Sequence, residues 1–275
     1  SYMAVLAKKY DLRVLAVHMD NGWNSPISVQ NIKNLVSQLG FDYKSYVLPW
    51  SSFRKVQLAF LRASVPEAET PTDVAIGKAV HHYALKTGTK YILSGGNIAS
   101  EGILPMSWHY NARDTKYSHS ILKKFNISTK DFKSQRFGFL EEFYCKIIKN
   151  IKIIYPLNFH NYDKNRARKI LEEEFNWKYY GSKHGESRYT KFIQKYYLVK
   201  KHGIDYRKAT LSSEICLNRI KRDDALKILE DPPYFQGEFD EEIEFIAKKL
   251  EIDKEFLISI IDDKPKWFWD YKNNK

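Results

Sequence analysis

The chain has 275 residues, 43% apolar, 28% charged and 15% aromatic, which suits one large globular domain or such a domain with a helical annex and excludes a disordered or fibrous chain. Lys and Arg outnumber Asp and Glu by 45 to 33, a formal charge of +12; this draws phosphate ligands of any kind, although a solvated lysine-rich surface explains it equally well. No apolar run nears the roughly 20 residues of a membrane span, no signal peptide is recognisable, and two cysteines without paired spacing, Cys145 and Cys216, exclude a disulfide framework or zinc site and point to the cytoplasm.

Ser1 to Tyr10 reads as a helix already under way, with no cap and no strand before it, so an upstream strand and glycine-serine phosphate loop are expected. Leu12 to Asp20 is a β-branched apolar run, a buried parallel strand, closed by the turn residues Asn21-Gly22. Ser25 and Pro26 predict a helix start; its apolar stripe is Val29, Ile32, Val36 and Leu39, and Gly40 stops it. Asp42 to Leu48 is a second strand, and a strand–helix–strand unit of this length implies a right-handed crossover. Ser51 to Ala63 is helical. Thr70, Pro71 and Asp73 predict another helix opened by a capping box, with Ile76, Val80, Tyr83 and Ala84 buried and Gly88 as its stop. Lys90 to Leu93 is the third strand and runs into Ser94-Gly95-Gly96-Asn97.

The pattern is α/β, a doubly wound parallel sheet over residues 1–115. Residues 116–275 read as a helical C-terminal region that completes the substrate site, with helices near 118–150, 161–175, 187–202, 222–230 and 239–261. The aromatic Trp267-Phe268-Trp269 and Tyr271 should pack on the domain or meet a partner. Cys145 and Cys216 both read as buried, which leaves no glutaminase nucleophile.

Open parallel sheets bind ligands at the C-terminal ends of their strands. Here those ends carry His18-Met19-Asp20-Asn21-Gly22-Trp23 and Ser94-Gly95-Gly96-Asn97-Ile98-Ala99-Ser100-Glu101. Glycines after a strand let backbone N–H groups approach phosphate; an ordinary tight turn, or for Asp20 an ordinary strand-ending Asp, is the plainer alternative. Lys183, Arg188 and Lys191 are cations suited to a pyrophosphate, or a surface cluster, and His184 reads as a structural hydrogen bonder. Trp108, His109, Asn111, Arg113 and Asp114 offer stacking, hydrogen bonding and ion pairing for a sugar nucleotide, or a core and turn role.

In combination these segments carry a family resemblance. The stretch from Ser1 resembles the helix after the pyrophosphate loop of the PP-loop, or adenine-nucleotide α-hydrolase-like, ATP pyrophosphatases. His18 to Trp23, Glu69-Thr70-Pro71-Thr72-Asp73, Ser94 to Asn97 with Glu101, Trp108 to Asp114 and Gly181 to Phe192 resemble, in collinear order, the N-acetyl sugar amidotransferases of surface-polysaccharide biosynthesis. The pyrophosphate loop and the family's N-terminal cysteine-containing segment are not among these residues. The resemblance implies an ATP-dependent enzyme that adenylates the acetamido oxygen of an N-acetylated nucleotide sugar. Ammonia then displaces AMP, giving an acetamidino sugar for a surface glycan such as an LPS O-antigen.

ATP and Mg²⁺ are the implied cofactors, with the metal ligands left open. The implied partner is a separate glutaminase subunit supplying ammonia; neither a membrane nor nucleic acid is expected. Asp20, Asp73, Glu101 and Lys183 are then expected in catalysis. Ser94, Gly95, Gly96, Asn97, Arg188 and Lys191 are expected on the nucleotide, and Trp108, Asn111, Arg113 and Asp114 on the sugar substrate. The alternatives are a tRNA-modifying PP-loop pyrophosphatase and a nucleotide-binding module without turnover.

Overall fold

The computed structural model describes residues 1–181 and 185–275. Helix α1 (Tyr2–Lys9) leads to strand β1 (Leu15–Asp20), helix α2 (Pro26–Leu39) and strand β2 (Asp42–Val47). The two strands pair in parallel, Leu15 opposite Asp42 through Asp20 opposite Val47. The α2 signals act as the sequence predicts: Ser25 Oγ accepts from the Ser28 N–H at 3.2 Å, and Gly40 ends the helix at φ +67°. Of its expected stripe only Leu39 is buried. Ser28, Asn31, Leu35 and Leu39 point inward, and Val29 is 38% exposed. The cause is tertiary: the Asn31 amide donates to the Lys178 carbonyl at 2.7 Å and accepts its N–H at 2.8 Å. This clamp turns Val29, Ile32 and Val36 toward an apolar groove of about 370 Å³ beside His18 and Tyr43.

Helices α3 (Trp50–Arg62) and α4 (Thr70–Thr87) follow, then strand β3 (Tyr91–Leu93). Glu69, not Thr70, stands at the α4 cap position, and no side chain caps it, so the expected capping box is not formed. Ala84 is buried as expected, but Ile76 is 47% exposed, and Val74, Ala75, Ala79 and His81 are buried too. β3 pairs in parallel with β4 (Lys152–Ile154), a three-residue strand in the lysine-rich stretch that sequence reading passed over. The described strands thus form two parallel pairs, and α4 packs against both β1 and β3.

After the short α5 (Ile98–Glu101), the helix expected over 118–150 is three: α6 (Thr115–Lys124), α7 (Thr129–Phe132) and α8 (Phe139–Phe143), the last continued by a π turn, Tyr144–Ile148. Asn126 at φ +56° and the Ser128 cap break the first junction. The chain then forms α9 (Lys164–Phe175), α10 (Arg188–Phe192), α11 (Leu198–His202), α12 (Tyr206–Cys216), α13 (Arg222–Glu230), α14 (Gln236–Leu250) and α15 (Lys254–Asp262). The run expected over 239–261 splits because Glu251 takes φ +56°.

The largest core joins the two halves of the chain. Trp23, Phe53 and Leu61 pack with Tyr189, Phe192 and Tyr197 and with the α14 stripe Phe239, Ile243, Ile246 and Leu250. A second core gathers Phe60, Tyr117, Ile121 and Phe132, and takes in Phe268 and Tyr271, while Trp269 stays 60% exposed. Cys145 is buried, but Cys216 is exposed, because it ends α12 on the helix's outward face. Among the described residues no helix is long and apolar enough to cross a membrane.

Candidate functional site

A cavity of about 910 Å³ opens between the start of α4, the segment after β3 and the C-terminal helices, within the size range of ligand sites. Asn21, the residue after β1, donates through Nδ2 to Thr72 Oγ1 at 3.2 Å, which fixes the start of α4 at the strand end. That start delivers Glu67, Glu69 and Asp73 to the cavity. Glu101 and Gly102 come from beyond β3, Asn111 and Arg113 from the turn before α6, and Gln194, Leu198 and Tyr206 from the C-terminal helices.

Four of the residues expected from sequence therefore meet here: Asp73, Glu101, Asn111 and Arg113. Asn111 Oδ1 accepts from the Arg113 N–H at 3.0 Å and sets the turn. Arg113 Nε lies 2.8 Å from Glu142 Oε2, an ion pair without hydrogen-bond alignment. Trp108 borders the site by stacking on Tyr206, centroids 6.1 Å apart and planes 2° from parallel.

The glycine loop adjoins the cavity through Glu101. A Cβ placed on Gly96 would lie 3.5 Å from Glu101 Oε2 and from Ser94 Oγ, whereas one on Gly95 meets nothing within 4 Å. The Gly96 N–H donates to Ser94 Oγ at 3.3 Å, and the Ser94 N–H to the Ile154 carbonyl at 2.8 Å. Asn97 is buried beneath the loop.

Other expected residues are engaged with protein. Asp20 Oδ1 accepts from the Gly22 N–H at 2.8 Å and from Asn24 Nδ2 at 3.2 Å, shaping the loop that buries Trp23. Trp23 donates from its indole to Gln57 Oε1 at 2.6 Å and stacks on Tyr189. Arg188 grips both Glu242 oxygens, at 3.2 and 3.0 Å, with its guanidinium over Phe245; Lys191 pairs with Glu238. These cations hold α10 to α14. Lys183 and His184 lie outside the described residues.

Asp114, expected on substrate, is fully buried and caps α6. Its carboxylate accepts from the Lys116 and Tyr117 N–H groups, the Tyr110 hydroxyl at 2.7 Å, and the Asn274 N–H and Nδ2, both at 2.7 Å. Burial alone would raise its pKa, but these hydrogen bonds outweigh it and hold the carboxyl below its usual range. Asp114→Asn turns one acceptor oxygen into a donor facing donors. It is expected to lower stability by on the order of 3 kcal/mol in a denaturant titration, with Michaelis constants of the folded fraction unchanged.

Sequence reading missed Glu67 as a site residue. It is 7% exposed; Oε2 accepts from the Tyr117 hydroxyl at 3.0 Å, and Oε1 has no hydrogen-bond partner. Burial pushes its pKa up to about 7, against the pull of its own backbone N–H, the Tyr117 hydroxyl and the Tyr110 backbone. Glu69, quoted in a motif but given no role, accepts from Gln194 Nε2 at 3.1 Å. Asp73 opens onto the cavity water yet lies deep in the protein. That depth, and then the Glu69 carboxylate, push its pKa up to about 7 against Arg113. Two carboxyls poised near neutrality suit proton transfer. Among the described residues no group of three or more His, Cys, Asp or Glu could hold a metal ion.

The helices that close the cavity also carry the likeness to known proteins. No curated protein matches the chain. Residues 186–275 match the family model of the LPS biosynthesis protein WbpG-like, C-terminal domain. This segment begins where the Trp23 loop docks, the Ser25 N–H donating to the Glu186 carbonyl at 2.8 Å, and it supplies Gln194, Leu198 and Tyr206 to the cavity.

Proposed function

We propose that the chain is an ATP-dependent amidotransferase of LPS biosynthesis that acts on an N-acetylated nucleotide sugar. One observation carries this reading. Segments that resemble the N-acetyl sugar amidotransferases, those bearing Asp73, Glu101, Asn111 and Arg113, converge in one cavity with the WbpG-like segment. Support comes also from the chain order: the cavity's Glu101 follows β3, and Asn21, which follows β1, holds the start of α4 that brings Asp73, in keeping with ligand binding beyond the ends of parallel strands.

In the reaction, the acetamido oxygen attacks the ATP α-phosphorus. The bond to pyrophosphate breaks and an O-adenylyl imidate remains. Ammonia adds to the imidate carbon, and the C–O bond to AMP breaks. The chain's part is positioning and charge stabilisation. Gly95 leaves its side-chain volume open, and Glu101 beside Gly96 is the carboxylate that would hold a Mg²⁺ carried on the phosphates, which would offset their charge. Arg113 faces the sugar nucleotide's negative charge.

The test is pyrophosphate release by the full-length protein with ATP, ammonium and N-acetylated nucleotide sugars. Release that depends on the sugar is expected; release stimulated instead by tRNA would replace this reading with the tRNA one. Arg113→Lys keeps the charge and loses the bidentate fork. It is expected to raise the Michaelis constant for the nucleotide sugar about tenfold and that for ATP less. Steady-state kinetics with each substrate varied in turn decide it.

A further inference from the structure

We propose that the outward face of α8, with the π turn that continues it, is a docking surface for an anionic lipid bilayer. Phe139, Leu140, Phe143, Tyr144, Ile147 and Ile148 are all exposed, Leu140 by 83%. They recur in pairs four residues apart, so the helical path sets them on one stripe. Cys145 faces the other way, into the second core, and so fixes the stripe outward. Exposed apolar side chains scattered singly need no account, but six along one short helical segment mark a surface that meets a partner. Glu142, on the same segment, lies 2.8 Å from Arg113, so this surface adjoins the cavity.

The surrounding charge selects the partner. From Lys133 to Lys152 the chain carries five Lys or Arg and two Glu. Both Glu are engaged within the protein, Glu141 with Arg136 at 2.7 Å and Glu142 with Arg113 and, at 3.0 Å, with Lys146. Three lysines gather at the C-terminal end of the stripe. Lys90 Nζ donates to the Lys149 carbonyl at 2.8 Å, the Lys152 N–H donates to the Lys90 carbonyl at 2.8 Å, and the Lys149 ammonium lies over the Tyr144 ring, 5.4 Å from its centroid. Among the described residues none of the three has a carboxylate partner. Lys133 and Arg136 stand exposed at the other end. Two copies of the chain laid stripe to stripe would therefore set basic end against basic end, parallel or antiparallel alike, at a cost. An anionic surface meets both ends favourably.

Shape points to lipid. The stripe is the convex ridge of a helix, with side chains that protrude. A basic amphipathic helix of this kind lies in the bilayer interface, its apolar face sunk to the level where headgroups meet acyl chains. Tyr144 and the lysines at the border have apolar bodies and polar tips, which suits them to that level. The sequence leads to no membrane partner because this segment is only about half the length of a membrane span; an interfacial helix needs no span. The surface does not depend on the amidotransferase reading.

Co-sedimentation of the full-length protein with lipid vesicles tests this. Vesicles of phosphatidylcholine alone are compared with vesicles of phosphatidylcholine and phosphatidylglycerol, at low and high salt. Wild type should sediment with the anionic vesicles at low salt and be released by high salt. Leu140→Gln combined with Ile147→Gln should weaken that binding about tenfold or more. Both positions are exposed, so the melting temperature of this variant should not fall. Lys149→Gln and Lys152→Gln should each weaken it about fivefold. Wild type that stays in solution with anionic vesicles, that binds neutral vesicles equally well, or that binds no better than the Leu140 and Ile147 variant overturns the proposal. If wild type ignores vesicles but forms a dimer in solution that the same variant dissociates, a second copy covers the stripe and the lipid reading falls.

Discussion

Gly102→Ala is expected to destabilise the protein by about 4 kcal/mol or more and to open the cavity wall. Gly102 sits at φ +75°, a conformation that costs an L-residue roughly 1–2 kcal/mol. A Cβ there would also lie 2.6 Å from the carbonyl carbon and oxygen of Ala209 and 2.8 Å from the Thr210 nitrogen. These are backbone atoms of α12 and cannot swing aside, so the helix itself must move, which adds the cost of overpacking. Tyr206 opens α12, lines the cavity and stacks on Trp108; a displaced α12 takes this wall with it. Gly40→Ala is the control. Gly40 has a similar φ, +67°, and nothing within 4 Å of its added Cβ, so it isolates the conformational cost of about 1 kcal/mol. A melting-temperature loss roughly threefold larger for Gly102→Ala is the expected result. Equal losses would show that α12 does not press on this turn.

The same contrast between local and distant causes separates what could be read from the sequence from what could not. Ser25, Pro26 and Gly40 bracket α2 by local chemistry, and α3, α4 and β1 start or stop within a few residues of their signals. The buried face of α2 is set by Asn31 reaching Lys178, 147 residues away, which no periodicity contains. β4 has three residues and a partner about sixty positions earlier, too little pattern for a strand to be recognised. Helix α12 has few apolar residues in register; its sign was the Asp205 cap, which accepts from the Arg207 N–H.

Within the site, Asp73, Glu101, Asn111 and Arg113 lay in recognisable motifs, and the fold brings those three segments to one cavity. Asp20, Asp114, Arg188 and Lys191 carry equally suggestive side chains, but other protein groups take them: Asp20 is held within its own turn by Gly22 and Asn24, whereas Asn274 reaches Asp114, and Glu242 and Glu238 reach Arg188 and Lys191, only through folding. Glu67, in Pro66-Glu67-Ala68-Glu69, looks like a solvated turn carboxylate until Tyr117 and Phe60 pack over that turn.

Glu67 gives the last expected result: Glu67→Gln should be more stable than wild type at pH 7.5 and no more stable at pH 4.5. The folded-state pKa of Glu67 is raised from its ordinary 4.5 to about 7 by burial. Between those values the folded protein holds a proton that the unfolded chain has released, so stability falls as pH rises. The loss is on the order of 3 kcal/mol once pH passes 7. His202 acts in the opposite sense. It packs edge-on against Tyr197 and Trp267, with both ring nitrogens unpartnered, and burial, then Lys201, lowers its pKa from 6.5 to about 4. There the unfolded chain takes up the proton first, so stability falls as pH drops from 6.5 to 4, again by on the order of 3 kcal/mol. In wild type the two slopes oppose each other between pH 4.5 and 6.5. Glu67→Gln removes one and exposes the histidine slope; His202→Phe does the reverse, leaving a protein that weakens as pH rises. Asp73, also raised, adds to the Glu67 slope in direction, but it opens onto cavity water and adds less. Urea midpoints of the three proteins from pH 4 to 8 measure this directly. If Glu67→Gln were no more stable than wild type at pH 7.5, Glu67 would be solvated like a surface carboxylate. If it were more stable and slower in turnover, the buried carboxyl would be a feature kept for chemistry at the expense of stability.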